Sequence, residues 1–238
     1  MSNKEKVGAK SDGSQSANEN AASKTITFLN QNQNLIYGVL IAILIVIFGI
    51  IAANKFYFQP KNERGTVALL SSIALYSEGV QNNDSTKLIA ALEGDGTSDG
   101  FEYIASNNKM TKIGNTAKYF IGMTHFALGD KDMALDHLTS FKKKDDVYWY
   151  SAQMTLGDIY DDMGDDAQAI KYYQKAAKGN SDYYTPNALF KLAQMYERSE
   201  KWNDAYNNYN RIKKEFYSEY ESMGIERFLK HATVKAGK

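Results

Sequence analysis

Residues 156–176 read LGDIYDDMGDDAQAIKYYQKA, and this stretch decides the fold. Its pattern is Leu-Gly-x2-Tyr followed by Ala-x3-Tyr-x2-Ala, with Gly164-Asp165 between the two halves. Glycine can end one helix in the left-handed conformation, and aspartate can cap the start of the next. The stretch therefore predicts two antiparallel helices that approach closely where Gly or Ala faces a bulky side chain.

The same pattern occurs on both sides of this stretch, about 35 residues earlier and about 35 residues later, which is close to the tetratricopeptide period of about 34 residues. The earlier copy has Ile121, Gly122, His125, Ala134, Leu138 and Phe141, and the later copy has Leu192, Ala193, Tyr196, Ala205, Tyr209 and Ile212. A second Gly-Asp pair, Gly129-Asp130, precedes the second helix of the earlier copy. The sequence thus predicts a solenoid of tetratricopeptide helical hairpins, with an unrelated helical bundle as the alternative.

The boundaries of this repeat domain follow from the flanking sequence. Residues 66–93 read as one more helical pair that lacks the complete motif, so we place the repeat domain at 66–220. From Ile225 onward, apolar and basic residues alternate at helical spacing. Residues 221–238 are therefore expected to form a C-terminal capping helix and tail that close the far end of the array.

An uncharged stretch, residues 35–53, precedes the repeats and reads LIYGVLIAILIVIFGIIAA. A helix of this length roughly spans a ~30 Å hydrocarbon core, so it predicts a transmembrane helix. A buried core helix and a cleaved signal peptide are the alternatives, but the late start and bulky Ile51 argue against cleavage. The fold class is therefore all-α, with an N-terminal transmembrane helix. We assign 1–24 as a disordered polar tail, 25–34 as a juxtamembrane segment and 54–65 as a linker.

Charges flank the uncharged stretch on both sides and do not set its orientation. A short polar tail before the span and a long folded domain behind it favour a domain outside the cytoplasm. Small residues also follow one side of the predicted span, where a second helix could approach closely in lipid, although chance placement is the alternative. This predicted packing face consists of Gly38, Ala42, Gly49 and Ala53.

The composition excludes several classes of protein. With 28 Lys+Arg against 28 Asp+Glu and no cysteine, the chain is not a polybasic nucleic-acid binder, a disulfide scaffold or a thiolate metal site. No nucleotide, lipase or zincin motif occurs, so we expect no catalytic residues, no metal site and no cofactor. The histidines are His125, His137 and His231, and His125 occupies a repeat position that suggests packing.

One loop resembles the start of a calcium site. Asp95, Thr97, Asp99 and Gly100 follow the D-x-T-x-D-G order, but Ser106 stands where a bidentate glutamate is required. An ordinary polar loop between helices is therefore the preferred interpretation.

The repeat register places acidic, aromatic and methionine side chains on the first-helix face, which usually lines the groove of such a solenoid. These predicted groove residues are Tyr119, Met123, Phe126, Met154, Asp158, Asp161, Asp162 and Phe190. An acidic groove of this kind would suit an extended apolar or basic peptide. Solvation of the charges, or filling of the groove by the terminal helix, is the alternative.

The order of parts carries a resemblance. A polar tail, FLNQNQN before the span, aromatics after it and a repeat domain ending in a basic helix resemble the single-span ancillary Sec translocon subunits of Gram-negative bacteria. The segments LEGDG, GNTAKYFIGM and LGDKDMALDHL are similar to the versions found in Bacteroidota.

This resemblance implies a single-pass protein of the bacterial inner membrane, with its N-terminus in the cytoplasm and its repeat domain in the periplasm. It implies association with the SecYEG channel, with a membrane-anchored periplasmic chaperone of the peptidyl-prolyl isomerase type, and with emerging client polypeptides. The alternative is a tetratricopeptide scaffold for envelope assembly or cell division without a Sec partner. An enzyme is the third class, for which the sequence offers no catalytic constellation.

Overall fold

The computed structural model describes residues 27, 29, 31–109, 111–142 and 147–238. The predicted polar tail, residues 1–24, lies outside the described residues. The chain divides into two units, Met1–Gln59 and Pro60–Lys238.

The first unit contains helix α1, Gln33–Ala53, followed by a π-helical segment, Asn54–Phe58. The helical stretch Gln33–Phe56 contains a window with a mean hydropathy of 3.1, and none of that window is buried. Large apolar side chains such as Phe48 and Ile45 are exposed along α1. By length and composition, this helix is therefore a candidate membrane span.

The second unit is built from helices, and the all-α prediction is confirmed. Its described elements are α2 Gln59–Asn82, α3 Ser85–Glu93, α4 Phe101–Asn107, α5 Lys112–Ala127, α6 Lys131–Ser140, α7 Val147–Asp162, α8 Asp166–Ala176, α9 Tyr184–Arg198, α10 Trp202–Glu215, α11 Tyr217–Ser222 and α12 Glu226–Lys235. The pairs α5–α6, α7–α8 and α9–α10 are the predicted repeat hairpins.

Small residues set the close approach of the two helices in a hairpin. A Cβ atom added to Gly157 of α7 would lie 2.5 Å from the ring of Tyr173 in α8, and one added to Gly122 of α5 would lie 2.7 Å from Leu138 in α6. Tyr173 and Leu138 are themselves fully buried. The glycines are thus required because a bulky partner occupies the space of their missing side chain.

The turns inside the hairpins follow the predicted chemistry. Gly129 and Gly164 have φ values of +83° and +75°, in the left-handed region. The next residue, Asp130 or Asp165, accepts a hydrogen bond from a backbone N–H in the first turn of α6 or α8. The third turn differs, because Glu200 adopts a φ of 56°. The third hairpin therefore has the same left-handed backbone conformation at this position, with a glutamate in place of glycine.

The region before α5 departs from the sequence prediction in two places. The predicted linker, residues 54–65, is helical and comprises the π-helical segment Asn54–Phe58 and the start of α2. Helix α4 was not predicted. Its Phe101 and Ile104 are fully buried, and Phe101 stacks on Phe120 of α5 at 5.2 Å between ring centroids. Burial of these two side chains outweighs the short length of the helix.

The far end of the array is covered by α12. Ile225, Leu229 and Ala232 are buried in one cluster with Tyr209 and Ile212 of α10. Val234, on the other side of α12, is 78% exposed. The terminal segment thus presents one apolar face to the last hairpin, as a capping helix does.

Candidate partner-binding surface

The first helices α5, α7 and α9 carry the predicted groove residues, but Tyr119 is not available on this surface. Its side chain is buried, and its hydroxyl shares a 2.7 Å hydrogen bond with Ser151 of α7. The ring also contacts Phe120, Phe141 and Tyr148. The prediction that Tyr119 lines the groove is therefore wrong. Tyr119 lies in the core and joins neighbouring hairpins, where its ring buries a large apolar area and its hydroxyl keeps a hydrogen-bond partner.

The other apolar groove residues are partly buried. Met123 and Phe126 of α5 pack against the core of the first hairpins, and the Thr155 hydroxyl lies 3.5 Å from the Met123 sulfur. Met154 of α7 contacts the cores on both of its sides. These side chains lie at seams between hairpins, where they contribute to stability while keeping part of their surface exposed.

Asp158 takes part in a link between adjacent repeats. Its Oδ1 accepts a 2.7 Å hydrogen bond from the hydroxyl of Tyr173 and lies 3.2 Å from Nζ of Lys191 in α9. Burial and this hydrogen bond raise the pKa of the Tyr173 phenol above its ordinary value. Asp158 thus accepts the hydrogen bond of the buried Tyr173 hydroxyl and at the same time forms an ion pair with Lys191.

The other two predicted carboxylates are also paired. Asp161 Oδ1 lies 2.5 Å from Nη2 of Arg198, which also lies 3.3 Å from Asp166, and Asp162 lies 3.1 Å from Nζ of Lys131. The hydrogen bond to Asp161 raises the pKa of the Arg198 guanidinium. The surface therefore carries charges of both signs, because each of the three carboxylates in the predicted acidic, aromatic and methionine-containing groove has a cationic partner.

Phe190 is covered from within the chain. The ring centroid of Phe228 in α12 lies 5.1 Å from that of Phe190, in an edge-to-face arrangement, and Tyr209 lies 5.9 Å away. Arg227 lies over the Phe228 ring. The structure thus agrees with the alternative that the terminal helix fills this part of the groove.

Sequence reasoning did not identify the cations that neutralise the groove. Lys191 and Arg198 follow Asp158 and Asp161 by about one repeat period. In the repeat register Asp158 and Asp161 correspond to Gln194 and Glu197, so a comparison of equivalent positions would not have found these cations. Such pairs bring the first helices of adjacent hairpins together on one surface.

The loop that resembles a calcium site is organised by its own hydrogen bonds. Oδ1 of Asp95 accepts from the backbone N–H groups of Thr97 and Ser98 and from both of their hydroxyls. These bonds hold the pKa of Asp95 well below its usual range. Ser106, at the twelfth position, lies in α4 and donates to the carbonyl of Tyr103. The loop is therefore an Asx-type turn.

The histidines make packing contacts. His125 and His137 stack with 5.8 Å between ring centroids, and His125 Nδ1 lies 3.5 Å from Asp130. Burial lowers the pKa of His137. His231 of α12 lies against Trp202 of α10. Each of these rings contacts a neighbouring helix, as the repeat position of His125 suggested.

The predicted packing face of α1 stays open in the structure. Among the described residues, no atom apart from the neighbouring residues and backbone of α1 itself lies within 4 Å of the position that a Cβ would take at Gly38 or Gly49, and Ala42 and Ala53 are exposed. The space that small residues leave for a second helix is thus present, without an occupant that would identify a partner.

Comparisons with known proteins agree with the repeat geometry. Tetratricopeptide-repeat family models match residues 150–182 and 187–216. Two similar solved structures are a putative kinesin light chain of Podosopora anserina with nearly identical tetratricopeptide-like repeats and a point variant of it. They are 13% and 15% identical to this chain, with TM-scores of 0.51 and 0.52. The alignments cover 71% of this chain and, respectively, 87% and 86% of the two solved chains.

At this level of identity, the solved structures show the fold alone. No curated protein sequence matches the chain. The matched models fall on α7–α8 and α9–α10, the hairpins whose close contacts and turns are described above. Residues 150–182 and 187–216 are therefore tetratricopeptide repeats, and the chain shares the fold of tetratricopeptide-like repeat structures.

Proposed function

We propose that the protein is a non-catalytic, membrane-anchored interaction subunit that associates with the SecYEG channel and with a periplasmic chaperone of the peptidyl-prolyl isomerase type. In this role it assists the handling of exported proteins. The observation that carries the proposal is the order of parts: one candidate span, Gln33–Phe56, precedes a tetratricopeptide-repeat domain. This order resembles that of the single-span ancillary Sec subunits.

The described surface supports interaction through a preorganised face. Asp158 and Asp161 are held by Lys191 and Arg198, so a partner meets fixed, alternating charges. Fixed charges of both signs favour a partner with complementary charges of both signs, because an unmatched charge at the contact would lose its hydration without compensation. This face would therefore suit a partner that presents both signs of charge at matching positions.

The span supplies a second contact in this proposal. The open space at Gly38 and Gly49 would let a helix of a membrane partner approach closely. Two linked contacts of modest strength reinforce each other, since formation of one raises the effective concentration for the other. The domain would lie in the periplasm and the N-terminus in the cytoplasm.

Affinity purification of the tagged full chain from detergent-solubilised membranes tests the proposal. Recovery of the SecYEG channel and the chaperone is expected. Recovery of envelope-assembly or division proteins without the channel would refute the Sec association and favour the scaffold alternative.

Paired variants then examine the contact in the membrane. Gly38→Leu with Gly49→Leu fills the small-residue face, whereas Ile47→Leu with Ile51→Leu changes the opposite side of the helix and serves as the control. Channel recovery should fall for the first pair at matched expression and stay unchanged for the second. Equal recovery from both would exclude this face as the contact.

A further inference from the structure

A pocket of about 310 Å³ lies between α4, α5 and α6, away from the first-helix surface described above. Its floor contains Ala105 and Ile121, which are 7% and 2% exposed. Glu102, Lys109, Lys118 and His137 surround this floor. The volume is sufficient for one bulky apolar side chain and the groups next to it.

The charges at the rim are uncompensated. Among the residues that the structure describes, Lys109 and Lys118 form no ion pair, in contrast to Lys131 and Lys191 on the first-helix surface. Glu102 likewise has no cationic partner within the described residues. Of the charged side chains that line the pocket, two are ammonium groups and one is a carboxylate, while Asp136 beside His137 is not part of the lining. The lining therefore carries an excess of positive charge, which favours an anionic ligand.

His137 fixes one wall of the pocket. Its ring is half-buried and stacks on His125 of α5, so it cannot turn away without loss of that contact. Asp136, His125, Glu102 and Lys118 are the titratable groups that act electrostatically on this histidine. The stacking contact thus restrains this wall of the pocket, which belongs to a helix.

We propose that this pocket binds a peptide segment of a partner protein in which a bulky apolar side chain stands next to acidic residues. The apolar side chain would cover Ala105 and Ile121, and the neighbouring carboxylates would pair with Lys109 and Lys118. This inference goes beyond the proposed Sec association, because it concerns a different surface and makes no use of the span.

Fluorescence anisotropy on the full chain in detergent micelles tests the proposal. The probe is a fluorescein-labelled, amidated peptide, Gly-Glu-Glu-Leu-Glu-Glu. Two matched probes replace either the leucine by serine or the glutamates by lysine. Saturable binding of the first probe, at least about tenfold tighter than either matched probe, is expected because apolar burial and charge pairing each contribute.

Variants locate the binding. Lys109→Glu with Lys118→Glu should weaken binding about tenfold, through loss of attraction and gain of repulsion. Lys171→Glu with Lys178→Glu makes the same change of net charge on and after α8 and should leave the affinity unchanged. Ser106→Trp, a change at an exposed residue of the pocket rim, should block the probe while far-UV circular dichroism stays unchanged.

Three results would overturn the proposal. They are no saturable binding up to about 1 mM probe, equal affinity for the serine or lysine probe, or equal loss in both charge-reversal pairs. None of these results depends on whether the channel co-purifies, so the pocket and the Sec association fail or stand separately.

Discussion

Arg198 in α9 reaches back one repeat to Asp161 in α7, with 2.5 Å between Nη2 and Oδ1. The same guanidinium also lies 3.3 Å from Asp166 at the start of α8. One side chain thus connects three helices of two adjacent hairpins. Together with the pair Asp158–Lys191, it fixes the relative position of α7 and α9 on the first-helix surface.

The Asp161→Asn variant tests the strength of this connection. We expect a loss of roughly 0.5–1 kcal/mol in the free energy of unfolding, since Arg198 is half-exposed and solvent screens the pair. Asp182→Asn removes an exposed carboxylate that has no ion pair among the described residues, and it should have no effect. Urea denaturation of the full chain in micelles gives both values. The difference in unfolding free energy between wild type and Asp161→Asn should shrink in about 1 M salt. An undiminished difference at that salt concentration would contradict a solvent-screened ion pair.

The repeat register predicts unequal effects of two neighbouring alanines. Ala169 is fully buried and Ala167 is exposed, although both lie in α8. Ala169→Leu should therefore cost about 1–3 kcal/mol through overpacking, whereas Ala167→Leu should be nearly neutral. Thermal melts of the full chain measure the difference. Equal melting temperatures would show that the register is wrong.

The third turn offers a stabilising substitution. Glu200 has a φ of 56°, whereas the equivalent turns contain Gly129 and Gly164. Because the left-handed conformation costs a non-glycine residue about 1 kcal/mol or more, Glu200→Gly should raise the melting temperature. Gly164→Ala should lower it for the same reason. A lower melting temperature for Glu200→Gly would mean that the glutamate side chain stabilises the turn.

The buried phenol of Tyr173 predicts a dependence of stability on alkaline pH. Its pKa is raised in the folded state, so its contribution to stability is fully present below the unfolded value near 10 and is lost as the pH rises above that value. Tyr173→Phe should make the decline of stability above pH ~10 shallower. Denaturation at a series of pH values measures this, with Tyr183→Phe, an exposed tyrosine, as the control. Identical slopes for wild type and Tyr173→Phe would contradict the prediction.

The orientation of the candidate span is tested by fusions after Lys238. A reporter that is active only outside the inner membrane should be active, because a short tail followed by a long domain favours translocation of that domain. A fluorescent protein that matures only in the cytoplasm should stay dark at the same position. The opposite pair of results would place the repeat domain in the cytoplasm.

The sequence by itself determined the repeats, their turns and the candidate span. Leu-Gly-x2-Tyr and Ala-x3-Tyr-x2-Ala specify local contacts, since Gly157 and Tyr173 belong to one hairpin and their residue types dictate how closely its helices approach. The Gly-Asp turns are equally local, because the backbone conformation and the cap are properties of adjacent residues. The apolar stretch in α1 is recognised by composition alone.

Only the tertiary structure decided what is accessible on the first-helix surface. Tyr119 belongs to the core because Ser151 and Phe141, distant in sequence, enclose it, and Phe190 is covered because α12 brings Phe228 over it. The charge of the groove depended likewise on Lys191 and Arg198, which lie a repeat away from their partners. Contacts between hairpins depend on the geometry with which one repeat stacks on the next, and a periodic pattern of residues does not specify that geometry.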